Sequence, residues 1–161
     1  MSLKNNYEIM HPFDPPHFDV VTSLAMLDNT LVSGSRDKNL RCWDPFSSSL
    51  QTNKYSDVMQ AHSDWINAME TDHEKREMYS GGKDGVVKVW RIRKRKLKCM
   101  AGLSSNSGSI NCLSKIDRGF GKMFAQGSSD KSIRMWKFKD KYINDYEEEG
   151  ADNYNNSPYS P

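Results

Sequence analysis

The sequence predicts an all-β fold built from three repeated units, each a four-stranded antiparallel sheet. Three segments align with one another without gaps: LVSGSRDKNLRCWD, MYSGGKDGVVKVWR and FAQGSSDKSIRMWK. In each segment the tryptophan follows an aspartate by six positions and a glycine by nine. The tryptophans, Trp43, Trp90 and Trp136, are 47 and 46 residues apart. A period of this length is typical of one supersecondary unit that is used several times along a chain.

The four strands of a unit are clearest in the second repeat. The segments WINAM, EMYSG, VVKVW and LKCM predict strands over 65–69, 77–81, 86–90 and 97–100. Lys83-Asp84-Gly85 supplies a tight turn between the second and third of them. In every repeat the third strand carries bulky side chains on both faces, as Val89 and Trp90 do here. We therefore expect each sheet to be covered on both faces by neighbouring sheets.

The composition indicates a soluble, single-domain protein that holds no cofactor. The chain has 161 residues, 27% of them charged, and a mean hydropathy of −0.81. No apolar run approaches the length of a membrane span, and residues 1–16 lack an apolar core, so we expect no secretory signal. The three cysteines predict reduced thiols, and no spacing of cysteine and histidine suggests a metal site. We predict a leading strand and loop over 1–18, repeats over 19–60, 61–104 and 105–138, and an acidic, disordered tail over 139–161.

The Gly-x-x-Asp…Trp frame, with a histidine leading into the following strand, resembles the WD-repeat family of β-propellers. The resemblance covers roughly residues 7–138 and implies a partial propeller with a hydrogen-bonded tetrad in each blade. By motif position the tetrads are His17, Ser33, Asp37 and Trp43 in the first repeat, and His62, Ser80, Asp84 and Trp90 in the second. The third repeat keeps Asp130 and Trp136 but has Asn106 and Gln126 where histidine and serine belong. Its blade is therefore expected to be the least rigid.

A narrower resemblance links residues 13–44 and the segment AHSDWINAM to the C-terminal propeller of kinesin-4-type motors. The stretches Phe13–His17 and Ser33–Asp37 carry most of the match. This resemblance implies a microtubule-linked protein of the cytoplasm and cytoskeleton, with the cilium as one setting. No G-x-x-x-x-G-K-[ST] segment occurs in the chain, so we expect no nucleotide hydrolysis.

Three blades cannot close a ring, because propellers usually have about 4–8 of them. Three explanations are open. The chain is a piece of a longer propeller, which the kinesin-like resemblance favours. It pairs with another half-propeller. Or two copies join head to tail, each lending a strand near Tyr7–Met10 to the other's last blade, to make six blades. We expect the isolated chain not to be a stable monomer, because open sheet edges are adhesive.

Serine, histidine and aspartate recur together in the first two repeats, which raises the question of a hydrolase. The chain has no G-x-S-x-G segment, and the set recurs at the repeat period with a tryptophan attached. These features favour structural tetrads, and we expect no enzymatic activity.

A basic run spans the turn between the third and fourth strands of the second repeat. Its members are Arg91, Arg93, Lys94, Arg95 and Lys96. The simplest interpretation is a solvated hairpin tip. The functional interpretation is an anion site for nucleic acid, a phosphoinositide head group or the acidic tails of tubulin. Few aromatic residues interleave with the run, so nucleic acid is the least favoured of the three.

WD-repeat proteins tend to bind peptides on the face formed by the loops before the first strand and between the second and third strands. Carried onto this chain, that face holds Asp19, Arg36, Asp64, Trp65 and Lys83. Trp65 is the strongest candidate, since an aromatic side chain among charges resembles an interface hot spot. The alternative for Trp65 is a half-buried strand residue.

These features predict a non-enzymatic scaffold that binds peptide segments or cytoskeletal proteins. The alternative is a structural subunit of a larger assembly, such as a ciliary or axonemal complex, joined through its open blade edges.

Overall fold

The computed structural model describes residues 12–46, 54–94, 96–104, 108–116 and 123–137. These residues form eleven β-strands and no helix. The strands are β1 Val21–Leu27, β2 Thr30–Ser35, β3 Leu40–Trp43, β4 Lys54–Val58, β5 Ile66–Asp72, β6 Glu77–Gly82, β7 Val86–Arg93, β8 Lys96–Ser104, β9 Ile110–Ile116, β10 Met123–Ser128 and β11 Ile133–Lys137. The strand expected near Tyr7–Met10 and the tail expected over 139–161 lie outside the described residues.

The strands form three antiparallel sheets, and in each sheet every strand pairs with the next one along the chain. The first sheet has the order β1-β2-β3-β4, the second β5-β6-β7-β8 and the third β9-β10-β11. The predicted all-β fold of repeated antiparallel sheets is confirmed. Within the described residues the third sheet has three strands. In the second sheet, β8 extends beyond the predicted 97–100 because it pairs with β7 along its whole length.

The turn between the second and third strands has the same backbone conformation in all three sheets. Lys38, Gly85 and Lys131 occupy equivalent positions with φ angles of 71°, 76° and 72°. This left-handed conformation favours glycine, so the two lysines need local support. The support comes from the preceding aspartate: Asp37 Oδ1 accepts the N–H of Asn39 at 3.0 Å. The aspartates of the other two turns accept equivalent bonds at 3.1 and 2.9 Å.

The first and second sheets pack face to face. Their shared core contains Leu27, Val32, Leu40 and Cys42 from the first sheet and Ile66, Met78 and Trp90 from the second. Burial of Cys42 raises the pKa of its thiol to about 11. These residues form one continuous buried apolar cluster, which fixes the second sheet against the first.

The second and third sheets pack in the same way. Tyr79 on β6 stacks on Phe124 of β10, with ring centroids 4.8 Å apart. Burial is the first cause that raises the pKa of Tyr79, and the nearby carboxylates of Glu77 and Asp72 add to it.

The expectation that every third strand is covered on both faces is wrong for the third sheet. Ile133 and Met135 on β11 are 80% and 59% exposed. Their counterparts in the first two sheets are buried, because another sheet of this chain covers each of those faces. Among the described residues no further sheet covers this face of the third one.

Candidate partner-binding site

The first sheet is joined to the segment before it by a chain of side-chain hydrogen bonds. His17 Nδ1 lies 2.8 Å from Asp37 Oδ2, and His17 Nε2 lies 2.6 Å from Ser33 Oγ. Trp43 Nε1 donates to the same Ser33 Oγ at 2.8 Å. A carboxylate can only accept, so these contacts fit a histidine that carries its proton on Nδ1. Ser33 then accepts from Trp43 and donates to His17.

The second sheet repeats this arrangement. His62 Nδ1 lies 2.9 Å from Asp84 Oδ2, and His62 Nε2 lies 2.7 Å from Ser80 Oγ. Trp90 Nε1 donates to Ser80 Oγ at 2.8 Å. Burial acts to raise the pKa of Asp84, but the hydrogen bonds from His62 and two backbone amides lower it to about 2. The pKa of Asp37 is lowered too, because bonds from His17 and two amides outweigh its burial.

The third sheet has a different set of contacts. Trp136 Nε1 donates to Gln126 Oε1 at 2.7 Å, so the longer glutamine takes the place of the serine acceptor. Asp130 accepts bonds from Ser132 and Arg134, and these lower its pKa. The position that histidine occupies in the other repeats is Asn106, which lies outside the described residues.

In the first two sheets the serine, histidine and aspartate have the connectivity of a hydrolytic triad. Their surroundings differ from those of a nucleophile. Ser33 is 3% exposed and Ser80 is fully buried, and each hydroxyl already accepts an indole N–H. A nucleophilic serine needs open space for a substrate carbonyl, and these hydroxyls have none. The arrangement satisfies buried polar groups and stiffens the sheets.

A cation two residues before the tryptophan recurs in all three repeats, which predicts a structural role, and in the first two sheets it supports the same region. Arg41 Nη1 donates to the carbonyl oxygens of Pro15 and Pro16 at 2.6 and 2.5 Å. Lys88 Nζ donates in the same way to the carbonyl of Ala61 at 2.5 Å. Pro16 and Ala61 immediately precede the histidines of the two tetrads, so these cations hold each histidine segment in place.

Four of the five residues predicted on the loop face come together around one aromatic ring. Arg36 Cζ lies 4.5 Å and Lys83 Nζ lies 4.1 Å from the centre of the Trp65 ring. The Lys83 ammonium also lies 3.9 Å from Asp64 Oδ2, and Asp64 Oδ1 accepts the N–H of Trp65 at 2.8 Å. We call Arg36, Asp64, Trp65 and Lys83 the loop-face cluster. Arg36 belongs to the first sheet and the other three residues border the second, so the cluster bridges the junction between them.

The fifth predicted residue, Asp19, makes local contacts instead. Its carboxylate accepts the N–H of Val20 at 2.6 Å, and its carbonyl accepts the hydroxyl of Ser35 at 3.1 Å. The third sheet has Ser109 and Ser129 where the second has Trp65 and Lys83, with the same backbone bond between them at 2.9 Å. The aromatic and cationic cluster is thus particular to the junction of the first and second sheets.

The predicted basic run lies at the opposite end of the second sheet, on the hairpin between β7 and β8. An open groove there is lined by Lys75, Arg76, Arg91, Ile92, Arg93 and Lys94. Arg91 Nη2 is bonded to Glu77 at 2.6 Å, so its charge is already balanced. Arg93, Lys94 and Lys96 are exposed, and Arg95 lies outside the described residues. Lys75 and Arg76 come from the turn between β5 and β6, which sequence spacing could not place beside the hairpin.

The three antiparallel sheets follow one another in sequence order. Each has the same turn before its third strand and a tryptophan in that strand, which defines a propeller-type repeat protein. The WD domain, G-beta repeat family model matches residues 11–44, 53–91 and 97–137. The chain therefore belongs to the WD40 repeat family, whose repeats form a protein-interaction fold.

The chain is similar to kinesin-like proteins. It is 28% identical to human kinesin-like protein KIF21A over 145 residues, which cover 88% of this chain and 8% of that protein. It is 27% identical to human kinesin-like protein KIF21B over 128 residues, which cover 80% of this chain and 7% of that protein. Nuclear distribution protein nudF of Aspergillus niger is 26% identical over 142 residues, covering 76% of this chain and 30% of that protein. The chain thus spans a small part of each of these relatives.

Neither a metal site nor a transmembrane helix occurs in the described part of the chain. No group of three or more histidine, cysteine or acidic side chains there is placed to hold a metal ion. No helix there has the length and apolar character to cross a bilayer.

Proposed function

We propose that this chain is a non-enzymatic interaction module that docks a segment of a protein partner on the loop-face cluster. The observation that carries the proposal is the half-buried Trp65 ring with two cations against it. A large aromatic side chain bordered by charges is the composition found at energetically dominant interface positions. The burial of Ser33 and Ser80 supports a module without catalytic function.

The charges of the cluster favour an acidic segment. Arg36 is exposed, and the side chain of Lys83 is 45% exposed. Both cations can therefore bond to carboxylates of a partner while they remain against the ring. Asp64, whose side chain is 38% exposed, lies 3.9 Å from the Lys83 ammonium and offsets its charge, so with Arg36 the cluster keeps a net charge of +1.

The relatives give the proposal its cellular context. Kinesin-like proteins and a nuclear distribution protein share this repeat region with the chain. We therefore propose a cytoplasmic protein associated with the cytoskeleton, and polymerised tubulin as the first partner to test, since tubulin has acidic tails.

The test is co-sedimentation of the full chain with polymerised tubulin over a series of salt concentrations. We expect salt-sensitive binding that weakens at least about tenfold in Trp65→Ala and in Arg36→Ala, since hot-spot truncations cost about 2 kcal/mol or more. Phe46→Ala is the matched control, because Phe46 is an exposed aromatic residue away from the cluster. Equal binding by all three variants would contradict docking at the cluster.

A further inference from the structure

The junction between consecutive sheets occurs twice in this chain and uses the same positions both times. At the first junction Gly34 on β2 faces Ile66 and Met69 on β5. A Cβ added to Gly34 would lie 2.8 Å from Ile66 Cγ2 and 3.3 Å from Met69 Sδ. At the second junction Gly81 faces Ile110 and Leu113, and an added Cβ would overlap the Ile110 side chain.

A polar contact crosses each junction at equivalent positions as well. Thr22 on β1 donates its hydroxyl to the carbonyl oxygen of Ile66. Asn67 on β5 donates its amide to the carbonyl oxygen of Ile110 at 2.9 Å. The first strand of one sheet is therefore hydrogen-bonded to the first strand of the next.

The third sheet carries the same set of junction residues on its outer face, and among the described residues no other sheet packs against that face. Gly127 occupies the position of Gly34 and Gly81, and a Cβ there would meet Cys112 of its own sheet. Asn111 occupies the position of Thr22 and Asn67 and is exposed. Ile133 and Met135, which are 80% and 59% exposed, stand where the first two sheets have their buried third-strand residues.

The first sheet presents the complementary half. Val21 and Leu24 on β1 occupy the positions of Ile66 and Met69, and of Ile110 and Leu113. They are 48% and 60% exposed, although their counterpart Ile66 is fully buried. Nearby, the Trp43 ring is covered by Phe13, with centroids 5.4 Å apart. The two ends of the described chain thus carry matching halves of one repeated junction.

We propose that two copies of this chain pair head to tail, the third sheet of each packing against the first sheet of the other. Val21 of one copy then packs over Gly127 of its partner copy, and Asn111 reaches a carbonyl oxygen of β1. The exposed apolar side chains on both faces become buried at two equivalent junctions. The product is a ring of six sheets, within the usual range of about 4–8 for propellers. This inference does not depend on docking at the loop-face cluster.

The main test is the molar mass of the full chain, measured by light scattering after size exclusion over a dilution series. We expect a species of twice the 18.5 kDa of one chain. Ile133→Asp and Leu24→Asp should each reduce it to a single folded chain, because both side chains are exposed in the separate copy. Phe46→Asp is the matched control, since Phe46 is 73% exposed and belongs to neither face.

Mixing the two variants separates a specific junction from general adhesion. Leu24→Asp keeps an intact third sheet and Ile133→Asp keeps an intact first sheet, so an equimolar mixture retains one of the two junctions. We expect the mixture, and neither variant alone, to form a two-chain species. Association that is unaffected by either substitution, or that the mixture does not restore, overturns the proposal.

Cysteine alkylation gives a second measurement with an internal reference. Cys112 lies beside Gly127 on the open face, whereas Cys99 is exposed on β8. At concentrations that keep about nine-tenths of the chains paired, alkylation of Cys112 should be about tenfold slower than in Ile133→Asp, with Cys99 unchanged. A wild-type protein that stays at the mass of one chain, or that forms a ladder of larger species, overturns the closed pair.

Discussion

Trp90 on β7 donates its indole N–H to the hydroxyl of Ser80 on β6, at 2.8 Å. The same hydroxyl lies 2.7 Å from Nε2 of His62. All three side chains are at most 2% exposed. One serine oxygen therefore satisfies two buried polar groups that have no access to water.

Ser80→Ala is expected to destabilise the protein by at least about 2 kcal/mol, because a buried polar group left unpaired costs about 1–3 kcal/mol and two are left here. Urea unfolding followed by tryptophan fluorescence measures the change. Ser104→Ala on exposed β8 is the control, and it should change the free energy of unfolding by no more than about 0.5 kcal/mol. Similar effects of the two substitutions would contradict a structural role for the tetrad.

The protein should lose stability in acid through Asp84. Its pKa in the folded chain is about 2, below the ordinary value of 3.8, so the unfolded chain binds protons first as the pH falls. The contribution is complete above about pH 4, amounts to about 2 kcal/mol, and disappears as the pH falls towards 2. Urea midpoints from pH 6 to pH 2.5 measure the decline. Asp84→Asn should show a shallower decline than the wild type, and parallel curves would refute the assignment.

Gly85→Ala tests the left-handed turn after Asp84. The φ angle of 76° disfavours a side chain, so we expect a loss of about 1 kcal/mol in the free energy of unfolding. Gly102→Ala on β8 is the matched control, since its added Cβ would only touch Val86 at 3.7 Å. Thermal unfolding measures the change. A fall in melting temperature that is no larger for Gly85→Ala than for Gly102→Ala would show that the turn tolerates a side chain.

We expect the basic hairpin between β7 and β8 to bind polyanions, and we expect added salt to weaken this binding. The variant in which Arg93, Lys94 and Lys96 become alanine should lose retention on heparin and binding to acidic vesicles. The control variant replaces three exposed lysines elsewhere, which are Lys38, Lys131 and Lys137. Equal losses in the two variants would indicate an effect of net charge, and no loss in either would leave the hairpin as a solvated tip.

Repetition made much of the fold predictable. The period placed a tight turn before each third strand, and the structure has one between β2 and β3, β6 and β7, and β10 and β11. Local chemistry was sufficient there, because Asp84 bonds to an amide only two residues away. The exposure of Ile133 was not predictable in this way, because it depends on which sheet lies beside the third one.

The candidate sites show the same division. Trp65 could be selected from its sequence position, but its contact with Arg36 joins two sheets and depends on how they pack. Arg76 lines the basic groove because the turn between β5 and β6 lies beside the β7–β8 hairpin. Gln126 looked like a lost acceptor, yet its longer side chain reaches Trp136. In each case the sequence could not show which side chains lie within contact distance of each other in the folded chain.

The recurrence of one glycine contact and one strand-to-strand bond at successive junctions has an evolutionary consequence. A gene that encodes interchangeable junctions can gain or lose whole units by tandem duplication or deletion, and each new neighbour meets a surface that already fits it. Selection can then act on individual loops, such as the one that carries Trp65, while the architecture beneath them is copied unchanged.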